Sequence, residues 1–122
     1  MLDPYADGYI RPEIWKVKAY IQAHLSEKLT IQHLCRQFSI SPTLLKEGFR
    51  RAYGVPIHSW LMEQRMQRAR ELVYTTALPI GQIAQTVGYE GISQFHAAFK
   101  RHYGMTPGQL RKMSETAAFR PF

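Results

Sequence analysis

Two short stretches of this sequence place basic and aromatic side chains in the same order. They read FRRAYG at residues 49–54 and FKRHYG at residues 99–104. Lysine and arginine carry the hydrogen-bond donors that suit phosphate oxygens and the acceptor atoms on base edges. The repeated basic pairs, Arg50–Arg51 and Lys100–Arg101, therefore favour a nucleic-acid partner over small-molecule chemistry.

The distribution of charge agrees with this interpretation. The 122 residues include 16 Lys and Arg against 9 Asp and Glu, a formal net charge of +7. Residues 1–30 are balanced, whereas residues 31–76 carry seven bases against three acids and residues 77–122 carry five against two. A small basic domain is typical of proteins that bind an acidic polymer, although a basic surface kept for solubility gives the same count.

Other kinds of chemistry have little support in the residue types. Cys35 is the single cysteine, which excludes an intrachain disulfide and fits a reducing cytosol. Its place on an apolar helix face predicts a small core residue. The five histidines lack the spacing of metal ligands, and no acidic pair suggests general acid–base catalysis. We therefore predict a non-enzyme with no cofactor, no metal and, for want of a long apolar run, no membrane partner.

The two basic stretches belong to a longer internal repeat. Residues 29–61 align with residues 78–110 at an offset of 49, which becomes 50 after one inserted residue near Glu90, where we expect a turn. Each copy contains two apolar segments with helical spacing, which in the first copy is i, i+3, i+4, i+7 and then i, i+4, i+7, i+8. In the first copy these residues are Ile31, Leu34, Cys35 and Phe38, then Leu45, Phe49, Ala52 and Tyr53.

Capping residues support two helices around a tight turn in each copy. Three residues are N-cap candidates, Thr30, Ser41 and Thr106, and two glycines are C-cap candidates for the second helix of each copy, Gly54 and Gly104. Gly88 permits a positive φ in the turn of the second copy. Ser39 stands at the matched position of the first copy, so a shared backbone would strain it slightly. Each copy therefore predicts a helix-turn-helix unit.

One long helix is predicted between the copies. Residues 56–76 contain no internal Gly or Pro, and their apolar residues fall on more than one face, as expected of a helix that packs against a lobe at each end. We expect Pro79 to stop this helix. About 20 residues give a length of roughly 30 Å, close to the ~34 Å between successive major-groove faces of DNA.

At this point the sequence resembles the DNA-binding domain of the AraC/XylS family of bacterial transcriptional regulators. The strongest part is IAQTVGYEGISQFHAAFKRHYGMTPGQLRK at residues 83–112. HLCRQFSISPTLLKEGFRRAYG at residues 33–54 resembles the family's more variable first motif, with Cys35 in place of the usual Ala. RMQRARELV at residues 65–73 resembles its linker-helix pattern.

The resemblance implies an all-α fold of about seven helices, with two helix-turn-helix lobes joined by a long linker helix. The expected division is an N-terminal tail over residues 1–11, a DNA-binding domain over residues 12–113 and a C-terminal tail over residues 114–122. Within the domain, lobe one covers about 12–55, the linker helix about 56–76 and lobe two about 78–113. The first helix is expected at about residues 13–25.

The second helix of each lobe is the one expected to read DNA, because such a helix enters the major groove with its apolar face held in the lobe. These helices cover residues 42–53 and 92–103. The residues predicted to read bases, at positions to which the resemblance also points, are Thr43, Lys46, Glu47, Arg50, Ser93, His96, Ala97 and Lys100. The residues predicted to hold phosphates are Ser41, Arg51, Gly91 and Arg101.

Each of these residues also has an ordinary interpretation as a solvated helix residue, and Glu47 could simply pair with Arg51. His96 in particular is interpreted more readily as an exposed polar residue than as a base reader. Arg65 is expected to be a structural partner between the lobes, and Tyr53 and Tyr103 to pack in the cores.

These observations predict a sequence-specific regulator of transcription that binds double-stranded promoter DNA, with activation favoured by the resemblance. RNA polymerase is the expected protein partner, no small-molecule effector is expected in this chain, and the expected location is the bacterial cytoplasm, at the nucleoid when bound. Two alternatives stay open: a non-specific or architectural DNA binder, and a basic helical module that binds an acidic protein. The sequence is equally compatible with a whole small regulator and with the C-terminal part of a longer one.

Overall fold

The computed structural model describes residues 9–115, and within them it contains seven α-helices and no strand. The helices are α1 Pro12–Ala23, α2 Ile31–Phe38, α3 Pro42–Tyr53, α4 Ile57–Thr75, α5 Ile80–Thr86, α6 Ile92–Tyr103 and α7 Pro107–Glu115. The prediction of an all-α fold with about seven helices is confirmed. Most of the two predicted tails, at residues 1–8 and 116–122, lies outside the described residues.

The chain divides into two compact units, Met1–Glu63 and Gln64–Phe122. The boundary falls inside α4, so the first two turns of this helix belong to the first unit and the remainder belongs to the second. Each unit contains one copy of the sequence repeat, α2–α3 in the first and α5–α6 in the second.

The first unit encloses an apolar core between α1, α2, α3 and the start of α4. Ile14, Val17 and Ile21 lie at i, i+3 and i+7 on α1 and are fully buried. The ring of Phe49 on α3 is also fully buried, and its centroid lies 5.5 Å from that of Trp60 on α4. Cys35 is buried in the same cluster, which confirms its predicted role as a small core residue.

The second unit repeats this arrangement with α5, α6, α7 and the rest of α4. Phe95 and Phe99 of α6 are fully buried beside residues from α4, α5 and α7. The aromatic pair that ends each second helix is conserved in geometry between the copies: Phe49–Tyr53 and Phe99–Tyr103 both have centroids 4.8 Å apart. Tyr53 and Tyr103 are half-buried against the two cores, as predicted.

The turns between the paired helices share one hydrogen-bond pattern. The Ile40 N–H donates to the Cys35 carbonyl at 3.1 Å, and the Tyr89 N–H donates to the Ala84 carbonyl at 2.9 Å. These bonds span six residues, as in the Schellman ending of a helix, which requires a left-handed residue. Gly88 supplies it with φ +99°, whereas Ser39 adopts φ +52°. The expected strain at Ser39 is therefore present, and the inserted Glu90 lies in the turn as predicted.

The end of α4 is held by a side chain from α7. Arg111 Nη1 donates to the Leu78 carbonyl at 2.5 Å, Nη2 donates to the Thr76 carbonyl at 3.1 Å, and Nε lies 3.4 Å from the Val73 carbonyl. These acceptors belong to the last turn of α4 and the loop that follows, where carbonyls lack intrahelical donors. The helix covers Ile57–Thr75, within one residue of the predicted bounds at each end, and Pro79 lies beyond it as the N-cap of α5.

Candidate nucleic-acid interface

The two predicted reading helices have the predicted bounds, and their caps explain why. The Ser41 hydroxyl oxygen accepts a hydrogen bond from the Leu44 N–H at 3.2 Å at the start of α3. Both helices end at glycines, Gly54 and Gly104, each with φ +79°. α6 differs at its start, because Gly91 is its N-cap and provides no side-chain hydrogen bond.

Buried aromatic and aliphatic residues fix which side of each helix faces outwards. Leu45 and Phe49 hold α3 against the first core, and Phe95 and Phe99 hold α6 against the second, all four with 0% exposure. Side chains three and four positions apart share a helix face, so the residues opposite these anchors form a continuous outward strip.

On α3 the structure brings all four predicted base-reading residues to this outward strip. Thr43, Lys46, Glu47 and Arg50 are exposed, as are Arg51 and the capping residue Ser41. Their positions follow the i, i+3, i+4, i+7 pattern, which places them side by side on one face. The strip can therefore donate through Lys46 and Arg50 and accept through Glu47.

On α6 the predicted residues share one face but are not equally accessible. Ser93, Ala97, Lys100 and Arg101 are exposed. His96 is half-buried, and its Nε2 atom is buried without a hydrogen-bond partner. The interpretation of His96 as an ordinary exposed polar residue was therefore wrong, because the ring packs on its own lobe, edge-on to Phe95 with centroids 6.3 Å apart.

Two further exposed residues in the first turn of α6 were missed by sequence reasoning. Ile92 is 50% exposed and Gln94 is also exposed. They were missed because candidates on α6 were found by transfer from α3, where the matched residues are Pro42 and the half-buried Leu44. The signal that reveals them is a change of residue type between matched positions: Pro42 becomes Ile92, and the apolar Leu44 becomes the polar Gln94.

Arg65 and Tyr89 form an electrostatic pair in the second unit. Burial lowers the pKa of Arg65 and raises the pKa of Tyr89, and the attraction between the guanidinium and a phenolate opposes both shifts. Arg101 also acts on Tyr89 to lower its pKa. Arg65 therefore has an interaction within its own unit, whereas its predicted position between the lobes stays a prediction.

Residues 9–115 contain neither a membrane-spanning helix nor a metal-binding cluster. Within that range no helix has both the length and the apolar character needed to cross a membrane. No group of three or more His, Cys, Asp or Glu side chains in the same range is arranged to hold a metal ion.

Comparison with known proteins decides the family. A family described as a helix-turn-helix domain matches residues 34–113. The transcriptional activator RhaR of Klebsiella pneumoniae is 35% identical over 103 residues, which cover 84% of this chain and 37% of RhaR. The arabinose operon regulatory protein of Escherichia coli is 32% identical over 115 residues, which cover 90% of this chain and 37% of that protein. This chain belongs to the AraC/XylS family.

A solved structure gives the same answer for the fold. The C-terminal domain of AraT, a response regulator from Geobacillus stearothermophilus, matches with a TM-score of 0.83 and 31% identity, over 91% of this chain and 93% of that domain. The predicted resemblance is confirmed, and the AraC/XylS family is a class of DNA-binding regulators rather than enzymes. The chain spans about a quarter to two fifths of the length of the curated relatives it matches.

Proposed function

We propose that this chain is the DNA-reading part of a transcriptional regulator and binds double-stranded promoter DNA sequence-specifically through α3 and α6. The observation that carries the proposal is the pair of outward strips on matched helices, each anchored by two fully buried side chains. A helix anchored in this way presents its outward side chains in a fixed orientation, which readout of base edges requires.

The difference between the two strips supports sequence-specific binding. Lys46 and Glu47 on α3 are matched by His96 and Ala97 on α6. A cation donates to guanine O6 and N7, a carboxylate accepts from cytosine N4, and an alanine methyl contacts the thymine methyl, so the two strips favour different bases. Non-specific binding depends on positive charge facing the phosphates, and the negative charge of Glu47 at the centre of a strip would weaken it.

The proposed roles divide the outward residues into two groups. The base-reading group is Thr43, Lys46, Glu47, Arg50, Ser93, His96, Ala97 and Lys100. The phosphate group is Ser41, Arg51, Gly91 and Arg101, which lie at the start of each helix or beside its outward strip. Helix starts favour phosphates because their N–H groups lack intrahelical partners and the helix dipole is positive there.

The regulatory part of the proposal is activation of transcription through contact with RNA polymerase, in the bacterial cytoplasm at the nucleoid. It is supported by relatives whose names include a transcriptional activator and an operon regulatory protein. We propose no small-molecule effector for this chain.

Selection from a random pool of double-stranded DNA, followed by titration of the selected site, tests the proposal. We expect Arg50→Ala and Lys100→Ala each to weaken binding by about 1–3 kcal/mol and to relax preference in different halves of the site. Arg101→Ala should weaken all sequences about equally and reduce the slope of log K against log salt by about one.

Arg68→Ala is the matched control, because it removes one exposed positive charge outside both strips. Arg68 lies on α4 and forms an exposed ion pair with Glu71 at 3.0 Å. Its removal should leave base preferences unchanged. If Arg50→Ala and Lys100→Ala weaken all sequences alike, the chain is a non-specific or architectural binder. If no duplex is selected at all, the basic surface serves a protein partner instead.

A further inference from the structure

Ile92 breaks the apolar pattern of α6. Within residues 9–115 five large apolar side chains are exposed, and Ile92 is the one that lies on a reading helix; the others are Tyr9, Trp15, Val55 and Met113. A branched aliphatic side chain left 50% exposed forgoes much of the stabilisation that burial would provide. Single exposed apolar residues are common, so what sets Ile92 apart is its place on a reading helix rather than its exposure.

The position of Ile92 extends the outward strip towards the start of the helix. Ile92, His96 and Lys100 are spaced four residues apart and form one row along α6. In helix-turn-helix proteins the N-terminal residues of the recognition helix are the ones that contact base edges. Ile92 is the first residue of α6, so it lies at the end of the row that approaches the bases.

One side of Ile92 is supported by the neighbouring helix. Its Cδ1 atom lies 3.5 Å from the point where a Cβ at Gly81 of α5 would be, so the side chain rests over the backbone of α5. The same side chain lines a shallow surface cleft with Gln85 and Tyr89. Contact on one side and solvent on the other restrict the rotamers of Ile92, which lowers the entropy cost of a contact on its free side.

We propose that Ile92 determines specificity by contacting the C5-methyl group of a thymine in the half-site read by α6. The thymine methyl is the apolar feature of the major groove, and it pairs with apolar side chains there. The contact would cover the exposed half of Ile92. This inference rests on the proposed function and adds to it a named base in one half-site.

The matched position on α3 holds no equivalent side chain. The matched position on α3 is Pro42, whose ring is part of the helix start and lacks the reach of an isoleucine. The methyl contact is therefore confined to the half-site of α6, which lets the two halves of one site serve as test and internal control.

Deoxyuridine in place of thymine tests the contact, because it removes the methyl group and leaves every hydrogen-bonding atom in place. The site selected above is synthesised with single thymine-to-deoxyuridine changes, and the half-site of α6 is identified as the half in which Lys100→Ala relaxes preference. Titrations then compare the unaltered chain with Ile92→Ala. We expect one deoxyuridine in that half to weaken binding by the unaltered chain by about fourfold, the value of one buried methyl.

The decisive result is the combination of the two changes. At one thymine position of that half-site, Ile92→Ala should bind the thymine and deoxyuridine sites equally, so that the two losses do not add, whereas a thymine contacted by Ala97 should keep its deoxyuridine penalty. Val55→Ala, which shortens an exposed side chain outside both reading helices, should retain the full deoxyuridine effect. A thermal melt of Ile92→Ala checks folding, which an exposed side chain should affect little.

Two outcomes overturn the inference and leave the proposed function standing. One is a selected α6 half-site that contains no thymine. The other is a deoxyuridine penalty in Ile92→Ala that equals the penalty in the unaltered chain at every position. Failure to select any duplex would instead remove the proposed function, and this inference with it.

Discussion

Arg111→Ala is expected to destabilise the second unit by removing the donors that hold the end of α4. Three carbonyls depend on this side chain, and hydrogen bonds from a charged donor contribute about 1.5–3 kcal/mol each when well buried. Arg111 is only half-buried, so its two shorter bonds are each worth about 1 kcal/mol here. The contact at 3.4 Å adds little. The free energy of unfolding should therefore fall by about 2 kcal/mol.

Urea unfolding followed by far-ultraviolet circular dichroism measures this loss. Arg111→Lys retains the charge but not the planar fork of donors, so we expect it to recover less than half of the stability. Lys112→Ala is the matched control, because Lys112 is an exposed cation on the same helix, and it should change stability by less than about 0.5 kcal/mol. Equal losses in Arg111→Ala and Lys112→Ala, or a loss below about 0.5 kcal/mol in Arg111→Ala, would refute the reasoning.

Three further substitutions test local features of the repeat. Ser39→Gly should raise the free energy of unfolding by about 0.5–1 kcal/mol, because glycine adopts the left-handed backbone of this position without strain from a Cβ atom. Gly88→Ala should lower the free energy of unfolding by about 1–2 kcal/mol for the converse reason. Changes of the same sign in urea unfolding would contradict this. Thr106→Ala should cost about 1 kcal/mol in the same assay, since Thr106 and Gln109 satisfy each other's N–H groups at 3.1 and 2.9 Å. Gly91→Ser should add a cap worth a few tenths of a kcal/mol and yet weaken DNA binding if a phosphate approaches this backbone; unchanged affinity in a DNA titration argues against that role.

The architecture was accessible from the sequence because its signals are local. The caps at Ser41, Gly54 and Gly104 mark ends of the reading helices, so the bounds of these helices were predicted without error. The internal repeat supplied an independent check on each copy. The end of α4 was predicted to within one residue, but the hydrogen bonds that Thr76 and a distant arginine make there were not predicted.

The structural features that the sequence did not predict depend on packing between helices. The donors of Arg111 reach carbonyls 33 to 38 positions away, and nothing in the local pattern identifies these acceptors. Burial of His96 Nε2 depends on how one ring settles against its lobe. Ile92 was overlooked for a different reason: transfer between copies assumes that equivalent positions have equivalent roles, which divergence after a duplication does not preserve.

The anchoring of α3 and α6 has an evolutionary consequence. Leu45 and Phe49, with their counterparts Phe95 and Phe99, face inwards, while the residues that differ most between the copies face outwards. Under the proposed function, substitutions of exposed residues on the outward strips would change the preferred base while leaving the packed anchors in place. In the proposed function, a repeated unit of this kind could acquire new targets one half-site at a time, because one helix could change its preference while the other kept its contact with DNA.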